Sequence, residues 1–273
     1  VREDNLCLDV SQVEAAITER TRALLPVHLA LRFSEMDALG EMARKHGLAL
    51  IEDCAHAHGG RWKGRGAGSM GDLGCFSLQS SKLMTSGEGG IVITSSQRYY
   101  EAIQAYVNCG RAGQTDDYGV RLVGGNFRIT ELQAALLMGQ LERLAEQNAL
   151  RRKNAARFTA GLKKIPCEGR FYEAVYRSDL FPATAEQFPA LAQGRPEPVD
   201  YRKIHCPVAE RLAYEESVWL PHFLLLGDEA DVDDILAAVE KVATHLDELE
   251  GVDAGVKGVS RTGRSRLESE RQW

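Results

Sequence analysis

Strand-sized apolar stretches interrupted by a helical one dominate the early part of this chain. ALLPVH (23–28), LALIED (48–53), DLGCFSL (72–78) and GGIVITS (89–95) each hold the apolar run expected of a buried strand. Between the first two lies SEMDALGEMARKHG (34–47), in which Met36, Leu39, Met42 and Ala43 recur at helical spacing. Ser34 and Asp37 read there as a capping box, and Gly47 as a stop. Another helix is expected at about 97–108. Strand–helix–strand order with continuously apolar strands predicts an α/β fold around a mostly parallel, covered sheet. Ligands of such sheets sit beyond the carboxyl ends of the strands. Asp53 ends one strand there and His28 another.

The later part is more helical. A long helix is expected from TELQ, where Thr130 and Gln133 form a second capping box, to about Leu162. Helices of that length often link a large domain to a small one. Residues 201–223 contain a helix between proline-bounded extended pieces, and DVDDILAAVEKVATHLDEL (231–249) is amphipathic on Val232, Ile235, Leu236, Val239, Val242 and Leu246. From Gly251 the periodicity is lost and disorder is expected. The expected division is a large domain at 1–128, the connecting helix at 129–162, a small domain at 163–250 and a tail at 251–273.

A net charge of -6 gives no electrostatic footprint for nucleic acid. No apolar run approaches the ~20 residues that span a bilayer. The opening VREDNLCLDV lacks the basic and apolar regions of a signal peptide, and lacks an initiator Met, so a fragment or processed chain is expected. Six cysteines are scattered without a C-x-x-C pair, which fits a reducing cytoplasm better than a disulfide framework.

Two stretches carry chemistry. IEDCAHAHGG (51–60) places Asp53, Cys54, His56 and His58 together, all of them metal-ligand types. No second Cys/His cluster completes a shell and the spacing matches no usual zinc pattern, so no metal is expected. Cys54 could pack beneath a loop and His58 could be a satisfied loop histidine. Asp53 is harder to dismiss, because an acid ending an apolar strand is costly unless paired. The second stretch is CFSLQSSKLMTSGEGG (75–90), where Lys82 sits among Ser77, Ser80, Ser81, Thr85 and three glycines, Gly87, Gly89 and Gly90. A lone lysine is usually a solvated surface group. An imine-forming amine, however, needs such a loop, whose hydroxyls and backbone N–H groups can also bind phosphate.

The run from IEDCAHAHGG through GGIVIT (51–94), together with GGNFRITELQAA (124–135), resembles the DegT/DnrJ/EryC1/StrS family of pyridoxal-phosphate-dependent sugar aminotransferases. The resemblance extends in order over about 1–249. It implies an aspartate-aminotransferase-like fold of type I, with a mostly parallel sheet in a large domain and a small α/β domain. It also implies a homodimer with shared active sites.

By resemblance, Lys82 forms the internal aldimine with pyridoxal 5'-phosphate and shuttles the proton. Asp53 pairs with the pyridine nitrogen, His56 contacts the ring face or its 3-oxygen, and Ser77 holds the phosphate. Asn126 reaches the phosphate of the partner subunit's site; read without the family, it could equally be a turn former beside Gly125. Arg128 could be a structural ion-pair partner. Tyr172, Tyr176 and Arg170 could line the substrate pocket or simply pack.

The implied reaction moves an amino group from an amino acid to a keto sugar or keto-cyclitol. SKLMTSGEGG, DCAHAHG and GRFYEAVYRSDLF (169–181) look most like the glutamine:scyllo-inosose aminotransferases of aminocyclitol biosynthesis. The 3-amino-5-hydroxybenzoate synthases are an alternative. Lys82 disfavours family 3-dehydratases that carry His in its place.

Family members extend further at the amino end, where a glycine–small-residue turn and helix cradle the phosphate and an aromatic stacks on the ring. A second gap is expected near GLKKIPCEGRF (161–171), so both domains would be shortened. The competing reading is therefore a non-catalytic remnant or binding partner of the same ancestry.

Overall fold

The computed structural model describes residues 1–111, 119–165, 174–177 and 201–249. The chain forms two compact units that divide between Lys153 and Asn154.

In the first unit, helix α1 (Val10–Ala16) is capped by Asp9, whose side chain accepts from the Ser11 N–H. Strand β1 (Ala23–Leu24) follows, then α2 (Met36–His46) and β2 (Ala49–Asp53). The two-residue strands β3 (Arg61–Trp62) and β4 (Arg65–Gly66) form a small antiparallel hairpin that no sequence pattern announced. Next come β5 (Leu73–Ser77), β6 (Gly90–Ile93), α3 (Gln97–Val107) and the long α4 (Glu131–Leu162). The main sheet has the order β1-β2-β5-β6. β1–β2 and β2–β5 are parallel, with Asp53 opposite Cys75, and β5–β6 is antiparallel, with Ser77 opposite Gly90. The carboxyl ends of β2 and β5 therefore lie side by side.

Two local expectations need correction. The predicted strand at 23–28 has a ladder of only Ala23–Leu24 plus a bridge from Val27 to Asp53. Pro26 has no N–H to donate, so the ladder breaks there. Leu25 and Val27 are left 58% and 42% exposed. The predicted capping box at Ser34 is absent. Helix α2 begins two residues later, behind Glu35, which makes no side-chain cap. Ser34 is buried instead. Gly47 does end α2, in the left-handed region at φ 63°, where glycine carries no Cβ penalty. The capping box of α4 also forms: the Thr130 N–H donates to Gln133 Oε1 at 2.9 Å and the Gln133 N–H to Thr130 Oγ1 at 3.3 Å.

One core joins α1, α2 and the sheet through Val13, Leu24, Met36, Leu39, Ala43 and Leu50. A second joins Leu137 and Leu144 of α4 to Leu78 and Met84 of the loop after β5. Each buried leucine contributes about 1.5–3 kcal/mol relative to exposure. The loop at 66–72 lies flat against the sheet. A Cβ on Gly74 would stand 2.3 Å from the Gly68 Cα.

The second unit contains the end of α4, α5 (Pro207–Tyr214) and α6 (Glu229–Thr244). A capping box between Asp228 and Asp231 starts α6. Asn154 Nδ2 donates to the carbonyls of Leu225 at 3.1 Å and Gly227 at 2.9 Å. Val232 is fully buried, whereas Val242 and Leu246 of the same predicted stripe are exposed. The expected gap near 161–171 and the tail from Gly251 fall largely or wholly outside the described residues. Among the described residues no helix is long and apolar enough to cross a membrane.

Candidate active site

Asp53 is held by backbone on both sides. Its N–H donates to the Pro26 carbonyl at 2.9 Å and its carbonyl accepts from the His28 N–H at 3.0 Å. The next residue, Cys54, donates to the Cys75 carbonyl of β5 at 2.8 Å. Asp53 Oδ1 accepts from the Ala55 N–H at 3.0 Å, which starts the turn that carries His56 and His58. Its second oxygen makes no hydrogen bond or ion pair among the described residues.

The neighbouring strand end, Ser77 of β5, opens a loop that returns at Gly89. The Leu78 N–H donates to the Gly89 carbonyl and the Ser86 N–H to the Leu78 carbonyl, closing the loop at its base. Gln140 of α4 holds it from outside, accepting from the Thr85 N–H at 2.9 Å and donating to the Thr85 carbonyl at 2.6 Å. Within the loop the Lys82 N–H donates to the Gln79 carbonyl. Gln79 Oε1 accepts from both the N–H and the hydroxyl of Ser81. Lys82 is half-buried, and its amine makes no hydrogen bond or ion pair among the described residues.

Electrostatics ties these residues into one cluster. The His56 imidazole is pushed down, first by burial and then by the positive charge of Lys82, against an opposing pull from Asp53. His58 is pushed down by burial, opposed by the Ser77 carbonyl, with further push from Lys82 and His56. Lys82 and Asp53 therefore act on the same imidazole, and both histidines are held in the neutral form. Ser77 Oγ accepts from the Gln79 N–H at 3.3 Å, which leaves its hydroxyl proton free to donate.

His58 has a structural task. Its Nε2 lies 2.8 Å from the Ser77 carbonyl, which can only accept, so the proton sits on Nε2. Asn148 of α4 donates to the His58 carbonyl at 2.8 Å. A helix in the first unit thereby steadies the turn after β2, and that turn steadies the end of β5. Asn148 and Gln140 were missed from sequence, because an amide in a helix carries no mark of a distant backbone partner.

Glu52 was also missed. It points to the face of the sheet opposite Asp53 and is fully buried. Its Oε1 accepts from the N–H groups of Met70 at 2.6 Å and Gly71 at 2.7 Å. Its Oε2 accepts from the Gly68 N–H at 2.9 Å and lies 3.0 Å from His28 Nε2. Burial alone would raise the carboxyl; the His28 ring and the three amides outweigh it and leave it below the ordinary carboxylate range. Ligand atoms of His28, Glu52 and Cys54 lie within 4.8 Å of one another, the geometry of a possible cation site. A cation there would have to displace donors from both oxygens. It would also have to deprotonate a thiol that burial and the charges of Glu52 and Asp53 push up to about 12. Glu52 and His28 are a clamp between chain segments.

The other predicted residues are Asn126, Tyr176 of the second unit, and two outside the described residues. Asn126 is exposed and bridged to Asn108, and its Oδ1 accepts from Arg128 Nε at 3.0 Å. Arg128 also donates to Asn108 Oδ1 at 2.8 Å, so its partners among the described residues are amides rather than an acid. None of these bonds reaches Lys82 or Asp53. Arg170 and Tyr172 lie outside the described residues. Tyr176, in the second unit, donates to Glu210 Oε1 at 2.5 Å and accepts from the Cys206 N–H at 3.0 Å. With Arg177 and His205 also beside it, Glu210 is pulled down to about 2.

A strand-end carboxylate, a neutral histidine and an unengaged lysine in a hydroxyl-rich loop agree with the result of comparison with known proteins. Residues 1–177 match the DegT/DnrJ/EryC1/StrS aminotransferase family. The chain belongs to this family. A Streptoalloteichus tenebrarius protein provisionally named L-glutamine:3-amino-2,3-dideoxy-scyllo-inosose aminotransferase is 40% identical over 292 residues, covering 89% of this chain and 70% of that protein. The L-glutamine:2-deoxy-scyllo-inosose aminotransferase of Micromonospora echinospora is 36% identical, covering 92% of this chain and 72% of that protein. Among solved structures, 3-amino-5-hydroxybenzoic acid synthase matches with a TM-score of 0.78 and 28% identity over 90% of this chain and 73% of that one. DesV from S. venezuelae matches with a TM-score of 0.68 and 32% identity, over 89% of this chain and 70% of that one.

These family neighbours are pyridoxal-phosphate-dependent aminotransferases of fold type I, and the chain shares their α/β fold. The stretch matched to the first relative, 292 residues, exceeds the whole chain of 273. Relatives therefore carry residues inside it that this chain lacks.

Proposed function

We propose that this chain transfers an amino group from glutamine or glutamate to a keto-cyclitol or keto sugar, using pyridoxal 5'-phosphate, in aminocyclitol or amino-sugar biosynthesis. One observation carries the reading: the half-buried Lys82 amine, unengaged among the described residues, sits in the loop that opens from β5, the strand paired with the one that Asp53 ends. The family relatives' names support glutamine as donor and an inosose as acceptor.

The residues present fit the cofactor. Lys82 offers an amine, Asp53 an open carboxylate oxygen for the ring nitrogen, and Ser77 a hydroxyl for the phosphate, while neutral His56 can lie against the ring without adding charge. When bound, pyridoxal phosphate supplies an electron sink. Lys82 Nζ takes the proton from the α-carbon of the amino donor and later returns one to the carbon that receives the amine. The closed loop and its Gln140 tether fix the backbone that carries Lys82. Asn126 and the segment holding Arg170, Tyr172 and Tyr176 are assigned to the partner's phosphate and to substrate respectively. Residues 1–128 form the cofactor part in this reading, α4 connects, and 163–250 form the smaller part.

A second copy completes the site. The first half of α4 carries six large apolar side chains, yet only Leu137 and Leu144 are buried, while Leu132, Leu136, Met138 and Leu141 are exposed. An exposed apolar surface of that kind marks an association face. Cys7, Cys54, Cys75, Cys109 and Cys206 are free thiols, which supports a reducing cytoplasm.

Purified protein mixed with pyridoxal phosphate is expected to gain a visible band that borohydride removes and that Lys82→Ala lacks. A donor and acceptor screen with inosose, deoxy-inosose and nucleotide keto-sugars then names the substrate. Absence of the band in the unmutated chain favours the second reading, a catalytically weak or inactive homologue, which the missing internal residues support. Activity confined to an aminobenzoate-forming assay would instead point to a 3-amino-5-hydroxybenzoate synthase-like enzyme, the reading the fold match supports.

A further inference from the structure

We propose that Glu52 is a positioning residue that sets the Asp53 carboxylate, acting through His28. The inference rests on Asp53 being the partner of the cofactor ring nitrogen. Glu52 and Asp53 are consecutive and point to opposite faces of β2. A closed ring joins them: Glu52 Oε2 meets His28 Nε2 at 3.0 Å, the His28 N–H donates to the Asp53 carbonyl at 3.0 Å, and the Glu52–Asp53 peptide completes the circuit. Asp53 ends the strand, and this ring ties its bridge to Val27 to a buried side-chain contact on the other face of the sheet.

The ring is rigid at every other point. The Glu52 oxygens each receive two donors, three of them backbone N–H groups of Gly68, Met70 and Gly71, so the carboxylate cannot rotate. His28 is fully buried, and its ring lies against Phe33 with centroids 4.4 Å apart. The loop that supplies the amides cannot retreat, because Gly74 stands against Gly68 with no room for a Cβ. Glutamine at position 52 leaves two of the four donors facing an NH2 group, which loosens the grip on the end of β2 and lets Asp53 reorient.

The test compares two ligands on the full chain: pyridoxal phosphate and its 1-deaza analogue, in which a C–H replaces the ring nitrogen and cannot pair with Asp53. Equilibrium titration by intrinsic fluorescence gives both affinities. The unmutated chain is expected to prefer pyridoxal phosphate by on the order of tenfold to a hundredfold, the value of a charge-assisted hydrogen bond. Glu52→Gln is expected to bring that ratio close to one, whereas a merely structural defect weakens both ligands and keeps it.

Should Glu52→Gln not fold, as judged by its melting curve, His28→Phe keeps the aromatic packing, removes the Nε2 contact and must collapse the ratio in the same way. An unchanged ratio in the folded variant overturns the inference alone. No preference in the unmutated chain overturns the Asp53 reading and the inference with it.

Discussion

His28, His56 and His58 sit within a few residues of the strand ends and do different work. His28 braces a carboxylate, His56 feels the opposing charges of an amine and an acid, and His58 holds a carbonyl. Only His56 was legible as a site residue, and only through the family motif. The others take their roles from partners far along the chain, on Glu52 and on the Ser77 backbone. His58 also gives a pH prediction. Its folded pKa lies below the unfolded value of about 6.5, chiefly through burial. The stability it contributes is therefore complete above about pH 6.5 and is lost as pH falls through the folded value. The thermal midpoint should drop between pH 7 and 5, and less steeply in His58→Gln, whose side chain can still donate to Ser77. Equal slopes in circular-dichroism melts would show that His58 is not the titrating group. His56 is shifted in the same sense, so some slope remains in the variant.

At the scale of elements, the apolar strands and the periodic helices were readable because burial on both faces leaves a continuous pattern. The hairpin β3–β4 was not readable, since two-residue strands carry no periodicity. The flat loop at 66–72 depends on glycines at close approach. Gly74→Ala places a methyl group against the Gly68 backbone at 2.3 Å, where neither side can yield by rotating a side chain. A loss of about 1–3 kcal/mol is expected, visible as a lower urea midpoint with an unchanged slope. In the second unit, Asn154→Ala strips the Leu225 and Gly227 carbonyls of their shared donor. The same measurement should show a loss of about 1–3 kcal/mol. A neutral outcome would mean that water replaces the amide there.

The whole molecule poses a question of association. Val123 is 94% exposed and Leu132 is 84% exposed, on and just before the apolar half of α4. If a second copy covers that face, Leu132→Asp and Leu136→Glu should convert a dimer into a monomer in sedimentation velocity at micromolar concentration. A monomeric unmutated chain would remove the shared-site part of the proposed function and leave the Asp53–Lys82 cluster untouched.

From its sequence this chain could be read as an α/β protein of a known aminotransferase family, with Asp53 and Lys82 as the residues to watch. Local patterns of burial and one dense motif are properties of contiguous residues, so they survive in one dimension. Tertiary structure alone decided that the ends of β2 and β5 stand side by side. It also decided that Gln140 and Asn148 steady them from a helix, and that Glu52 is gripped by amides from residues 68–71. Those contacts join residues distant in the chain, often through backbone N–H and C=O groups that every residue possesses. No choice of side chain announces which of them will meet.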